Sequence, residues 1–111
     1  MLPPSTRILV CTQPQDMRRS FDKLALVTRE LLGEEPQSGA LYIFVGKSAT
    51  RVKVLWWDRN GYCMLYKRLH RALFVLPKEA PRVGSAMRLD AQALATLLAG
   101  VEREVSSKAL H

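Results

Sequence analysis

Two strand-forming runs, Arg51–Asp58 and Tyr62–Leu69, are joined through Asp58-Arg59-Asn60-Gly61, and this connection constrains the fold more than any other stretch of the sequence. Asn-Gly between β-rich runs is a strong short-range hairpin signal, because both residues enter left-handed backbone conformations at little steric cost. A third run, Leu41–Val45, precedes them across the small, basic stretch Gly46–Thr50, so the three read as an antiparallel meander. Two registers are open for the hairpin. A two-residue Asn60-Gly61 turn sets Lys53 opposite Arg68 and Arg51 opposite His70, whereas a bulged Arg59-Asn60-Gly61 loop sets Lys53 opposite Lys67 and Val52 opposite Arg68. In both, Lys53 meets a second cation across the ladder, a pairing that an anion would relieve.

The flanking sequence supplies the other layers. Arg7–Thr12 is a short apolar run that reads as a buried strand. From Asp16 to Leu32, the residues Met17, Phe21, Leu24, Thr28 and Leu31 recur every three or four positions. That spacing predicts a long helix, entered at Pro14 and Asp16 and left through Gly33. Phe74–Leu76 is weakly extended, Lys78–Ser85 reads as a loop, and Met87–Leu89 as one more short strand. Asp90 is placed to cap a final helix through Leu98, with Leu94, Leu97 and Leu98 as its stripe and Gly100 near its stop. The tail Val101–His111 either continues that helix or frays. The expected fold is α+β: a mainly antiparallel sheet of four or five strands with a central β-meander, one long N-terminal helix packed on it, and one C-terminal helix at an edge. With 111 residues, 48% apolar and 24% charged, the chain suits a single domain over residues 1–111 with one core, ordered from about residue 7 to residue 100.

Seventeen Lys and Arg against ten Asp and Glu leave a formal charge of +7. Such an excess either serves an anionic partner or only keeps the protein in solution, and position must decide. Arg51, Lys53, Arg59, Lys67, Arg68 and Arg71 lie on or beside the hairpin together with Trp57 and Tyr66, the mixture of cations and aromatics found on nucleic-acid surfaces. The alternative is that long stems cover apolar sheet while their charges stay in water. Arg18, beside Arg19, falls in the opening turn of the expected helix, where its charge opposes the helix dipole unless an anion binds there. Asp16 as N-cap and Asp22 four residues after Arg18 offer a purely structural explanation. The candidate DNA-binding residues are therefore Arg18, Arg51, Lys53, Trp57, Arg59, Lys67, Arg68 and Arg71.

Nothing in the sequence suggests catalysis. His70 and His111 are the only histidines, no Cys or His pair has metal-ligand spacing, and there is no phosphate-cradling glycine loop. Ser5, Ser20, Ser38, Ser48 and Ser85 stand in no nucleophile motif, and Asp16, Asp22, Asp58 and Asp90 occupy cap and turn positions. A non-enzyme without metal or cofactor is expected. Cys11 and Cys63 lie in apolar stretches and read as reduced thiols. With no apolar run approaching a bilayer span and with Pro3, Pro4 and Arg7 interrupting the N-terminal stretch, a cytoplasmic protein without membrane contact is expected.

Four segments resemble one known family in order and spacing: D-M-R-R-S-F-D-K-L (Asp16–Leu24), R-V-K-V-L-W-W-D-R-N-G-Y (Arg51–Tyr62), L-Y-K-R-L (Leu65–Leu69) and L-D-A-Q-A-L-A-T-L-L-A-G (Leu89–Gly100). The family is the TnpB-type accessory protein, product of the second reading frame, of the insertion-sequence-sixty-six group. The resemblance runs from about Ile8 to Gly100. It implies a non-catalytic, element-encoded helper of transposition that acts beside a separate transposase carrying the catalytic carboxylates. Arg18, Lys53, Lys67 and Arg68 match recurrent positions of the family. Trp56 stands where an aliphatic residue or tyrosine is common, and the turn is less acidic and less glycine-rich than usual. DNA, contacted through its phosphates, is the expected partner. The rival is docking on the transposase, or on a second copy of the chain, through an exposed sheet edge.

Overall fold

The stretch from Leu41 to Gly46 is buried at every position, and so is Ile8 to Cys11. Strands apolar on both sides belong in the middle of a sheet that is covered on both faces. The computed structural model describes residues 5–102. It contains strands β1 (Ile8–Gln15), β2 (Leu41–Gly46), β3 (Arg51–Asp58), β4 (Gly61–Arg68), β5 (Ala72–Leu73), β6 (Arg82–Val83), β7 (Ala86–Leu89) and β8 (Val101–Glu102), with helices α1 (Phe21–Glu30) and α2 (Ala91–Ala99). Six strands form one sheet in the order β4-β3-β2-β1-β7-β6, and β5 pairs with β8 in a small second sheet.

This corrects the expected fold class. The main sheet is mixed, because β1 and β2 run parallel, with Ile8 opposite Leu41 and Cys11 opposite Phe44. The other neighbours are antiparallel, including β2–β3 and β3–β4. Parallel neighbours cannot be joined by a hairpin; they need a crossover, and α1 with its flanking loops supplies it. The helix is also shorter than its periodicity predicts, covering ten residues rather than Asp16–Leu32. Asp16 is the reason. Its side chain accepts from the Arg18 N–H at 2.9 Å and its carbonyl accepts from the Arg19 N–H at 3.1 Å, so Asp16–Arg19 closes a turn of its own instead of capping a helix. Ser20 then becomes the N-cap, with no side-chain hydrogen bond.

Side chains alternate across the sheet and fill two cores. Leu9, Cys11, Tyr42, Phe44 and Leu55 meet Leu24 and Ala25 of α1 on one face. Ile8, Val10, Leu41, Ile43, Val52 and Val54 meet Phe74 and Leu94 and Leu97 of α2 on the other. The C-terminal helix thus covers a face, not an edge. Each core side chain removed from water contributes about 1.5–3 kcal/mol, so the two layers together hold β1 and β2 rigidly at the centre. Asp90 caps α2 by accepting from the Ala93 N–H at 2.7 Å. The chain then reverses at Gly100, whose φ of +75° favours glycine and whose absent Cβ would stand 2.5 Å from Leu69 Cδ1. Val101 and Glu102, expected as the start of a tail, instead pair with Leu73 and Ala72. Residues 103–111 of that expected tail lie outside the described residues.

Candidate nucleic-acid interface

The hairpin adopts neither expected register. Asp58 pairs with Gly61, Leu55 with Met64, Lys53 with Tyr66 and Arg51 with Arg68. The two turn residues are Arg59 and Asn60, with Arg59 at φ +57° and the Asn60 N–H donating to the Asp58 carbonyl at 2.6 Å. Asn-Gly signals the turn but does not centre it: the left-handed position falls on Arg59, and Gly61 has become the first residue of β4. The shift changes which side chains share a face. Lys53 no longer meets a cation; the like-charged pair is Arg51 with Arg68, at the other end of the ribbon from the turn.

Each candidate residue can now be placed. Arg51 and Arg68 are exposed, lie on the α1 side of the sheet by alternation with Leu55, and among the described residues take no acidic partner. Lys53 is on the same side but only 7% exposed. Its Nζ donates to the Arg19 carbonyl at 2.7 Å and sits 4.8 Å from the centre of the Tyr66 ring. A buried ammonium is tolerated only when its charge is met, and here a carbonyl oxygen and an aromatic face meet it. Lys67 projects to the opposite, α2 side, where its Nζ donates to the Leu98 carbonyl at 2.6 Å. It serves the negative end of that helix. Trp57 and Arg59 stand at or beside the turn, six and eight residues from Arg51, roughly 20 Å or more of extended chain away. There Trp57 packs edge-to-face on Tyr62 with ring centres 5.0 Å apart. Arg71 is exposed at φ +68° in the bend after β4. Arg18 is exposed but held by Asp16, Nη2 to Oδ2 2.7 Å. That guanidinium holds the Asp16 carboxyl well below the usual carboxylate range, and the carboxylate raises Arg18 in turn.

The eight candidates therefore do not form one surface. Arg51 and Arg68 come together, and Arg51 also lines a groove of about 500 Å³ with Lys47, Ser48, Thr50 and the Asp16–Arg18 ion pair. The groove lies past the carboxyl ends of the parallel strands β1 and β2, where Gln15 and Gly46 are paired. Loops in that position are free to carry ligand groups because the strands below them are fixed. Gly46 makes the close approach possible, since a Cβ there would stand 2.8 Å from Met17 Cγ. Sequence reasoning passed over Lys47 as a site residue, although the Gly46–Thr50 stretch is visibly basic and small. Tyr66, read with Trp57 as part of the mixture of cations and aromatics, is not among the candidate site residues. Only the register, which sets Tyr66 opposite Lys53 and next to the facing Arg51–Arg68 pair, singles it out.

Among the described residues, no group of three or more His, Cys, Asp or Glu could hold a metal ion, and no helix is long and apolar enough to cross a membrane. Cys11 and Cys63 are free thiols, and burial pushes Cys11 up.

The chain is thus a small mixed-sheet protein covered on both faces, with Lys47 and Arg51 beside a groove past the ends of its central strands. The chain belongs to the family described as IS66 Orf2 like protein, whose model matches residues 6–108. Membership supports an accessory role in transposition. Two relatives from Sinorhizobium fredii are similar over nearly their whole length: the uncharacterized protein y4hO, 38% identical over 92% of this chain and 88% of its own, and the uncharacterized protein y4jC, 30% identical over 92% and 86%. No solved structure matches the chain.

Proposed function

We propose that this chain assists transposition by holding DNA through phosphate contacts at the Arg51–Arg68 end of the sheet. One observation supports this above all. Two arginines are set directly opposite each other, and among the described residues neither forms an ion pair. Like charges facing across a ladder destabilise it, by roughly 0.2–1 kcal/mol. A phosphate between them converts that cost into charge-assisted hydrogen bonds. Lys47 extends the positive surface along the groove, while the Arg18 charge there is met by Asp16. The test is fluorescence anisotropy with labelled element-end and random duplexes over a salt series. The logarithm of affinity should fall linearly with that of salt, and R51Q/R68Q should lower the slope by about 2 and the affinity by about tenfold or more. Binding that ignores salt, or a double variant equal to the parent, removes the pair from the reading.

A second reading rests on a different feature. Strand β4 is an edge of the main sheet and is eight residues long, whereas the opposite edge, β6, has two. Short edges resist pairing and long ones invite it, so β4 suits addition of a strand from the transposase. Capture of this chain by the purified transposase that survives nuclease treatment, together with negligible DNA binding, would favour this reading over the first.

A further inference from the structure

We infer that Tyr66 is a stacking platform for an unpaired base, so that the site takes single-stranded DNA in preference to duplex. The inference rests on the DNA-binding reading above and names the form of DNA that the same site selects.

The other aromatic rings on the strands of the main sheet are engaged. Tyr42 and Phe44 are buried, Trp56 packs against the α2-side core, and Trp57 and Tyr62 pack on each other. Tyr66 is 52% exposed. Its ring is nevertheless held, because the Lys53 ammonium lies 4.8 Å from its centre and is itself anchored to the Arg19 carbonyl. One face of the ring therefore rests on a buried cation and the rest of it is open to solvent. Arg51 and Arg68 border it in a shallow depression of about 290 Å³ that these three residues line. A π-face with two facing guanidiniums at one end of it suits a single strand, whose base can stack on the ring while the adjoining backbone phosphate meets the arginines. Stacking on such a ring is sequence-tolerant, since every base has a π-face. A duplex keeps those faces inside its own stack and offers only base edges, within grooves that a protruding helix or ribbon must enter. The depression presents no such projection, so duplex DNA gains the arginine contacts and not the ring.

The test compares an oligothymidine with a duplex of equal length, both fluorescently labelled, on the full chain at one salt concentration. The parent should bind the single strand several-fold more tightly. Tyr66→Ala should lose about tenfold on the single strand and less than about twofold on the duplex, while Tyr66→Phe keeps the preference. Tyr66→Leu, which retains apolar cover above Lys53, carries the same test should the truncation unfold the chain. Equal losses on both DNAs, no loss on either, or a parent that prefers duplex overturns the inference while leaving the phosphate site intact. A parent that binds neither DNA sinks the DNA reading itself.

Discussion

The two ends of the hairpin ladder's cationic stretch differ in how their charges are met: Lys53 and Lys67 reach backbone carbonyls, and the Arg51–Arg68 pair does not. On the α2 side, Lys67 reaches a helix-terminal carbonyl and its charge is absorbed by the fold. On the α1 side, Lys53 is absorbed in the same manner by the Arg19 carbonyl, yet the next pair along the ribbon, Arg51 and Arg68, faces itself with nothing to absorb it. The four residues lie within a few positions of one another on two adjacent strands. What separates structural from available charge is thus not residue type or sequence neighbourhood, but whether a backbone carbonyl ends up within reach.

The contrast can be broken experimentally. The largest effect is expected at Lys53. Lys53→Ala removes a buried stem and leaves the Arg19 carbonyl without its donor, which should cost about 2–3 kcal/mol in chemical denaturation. If Lys53 instead unfolds the chain no more easily than an exposed lysine, its burial is not structural. R51Q/R68Q should show the reverse pattern: weaker DNA binding with stability unchanged or raised by about 0.5 kcal/mol, since the substitution relieves like-charge repulsion. Lys67→Gln should lower stability by roughly 0.3–1 kcal/mol through the end of α2 and leave DNA affinity untouched. A clear loss of DNA binding there would merge the two faces into one surface. The smallest effect belongs to Asp16. Its carboxyl is depressed in the folded chain, so the Arg18 pair is present above the ordinary value of 3.8 and is lost only as pH falls through the lower, folded value. An NMR titration should show Asp16 still ionised at about pH 4. Asp16→Asn releases Arg18 toward the groove and should raise DNA affinity roughly two- to fivefold.

Much of the chain's local structure can be read from its residues. The alternation of Arg51–Asp58 marks a strand with those limits, and Asp90 caps the helix that follows it. The mixed sheet was also legible in principle. Ile8–Cys11 and Leu41–Val45 are unbroken apolar runs separated by a helical stretch, the pattern of two central parallel strands with a crossover between them. The hairpin signal is local and stronger, and it points to a mainly antiparallel sheet instead. Other features have no local signature. Asn60-Gly61 announces a reversal, but the one-residue choice that puts Arg59 at positive φ depends on which faces of β3 and β4 meet the two cores. The fate of Lys53 depends on a carbonyl 34 residues away, and that of Lys67 on one 31 residues away. No window of sequence contains either pair. The candidate site was therefore visible as a collection of residue types, and its membership was decided by tertiary contacts.

Gly100 has a reach beyond its own bend. Because the backbone turns away there, α2 stops at Ala99 and the Leu98 oxygen is left without an amide from a further helical turn. Lys67 occupies that oxygen. A glycine with no charge and no ligand of its own thereby leaves open an acceptor for a lysine that strand alternation has already placed on that side of the sheet.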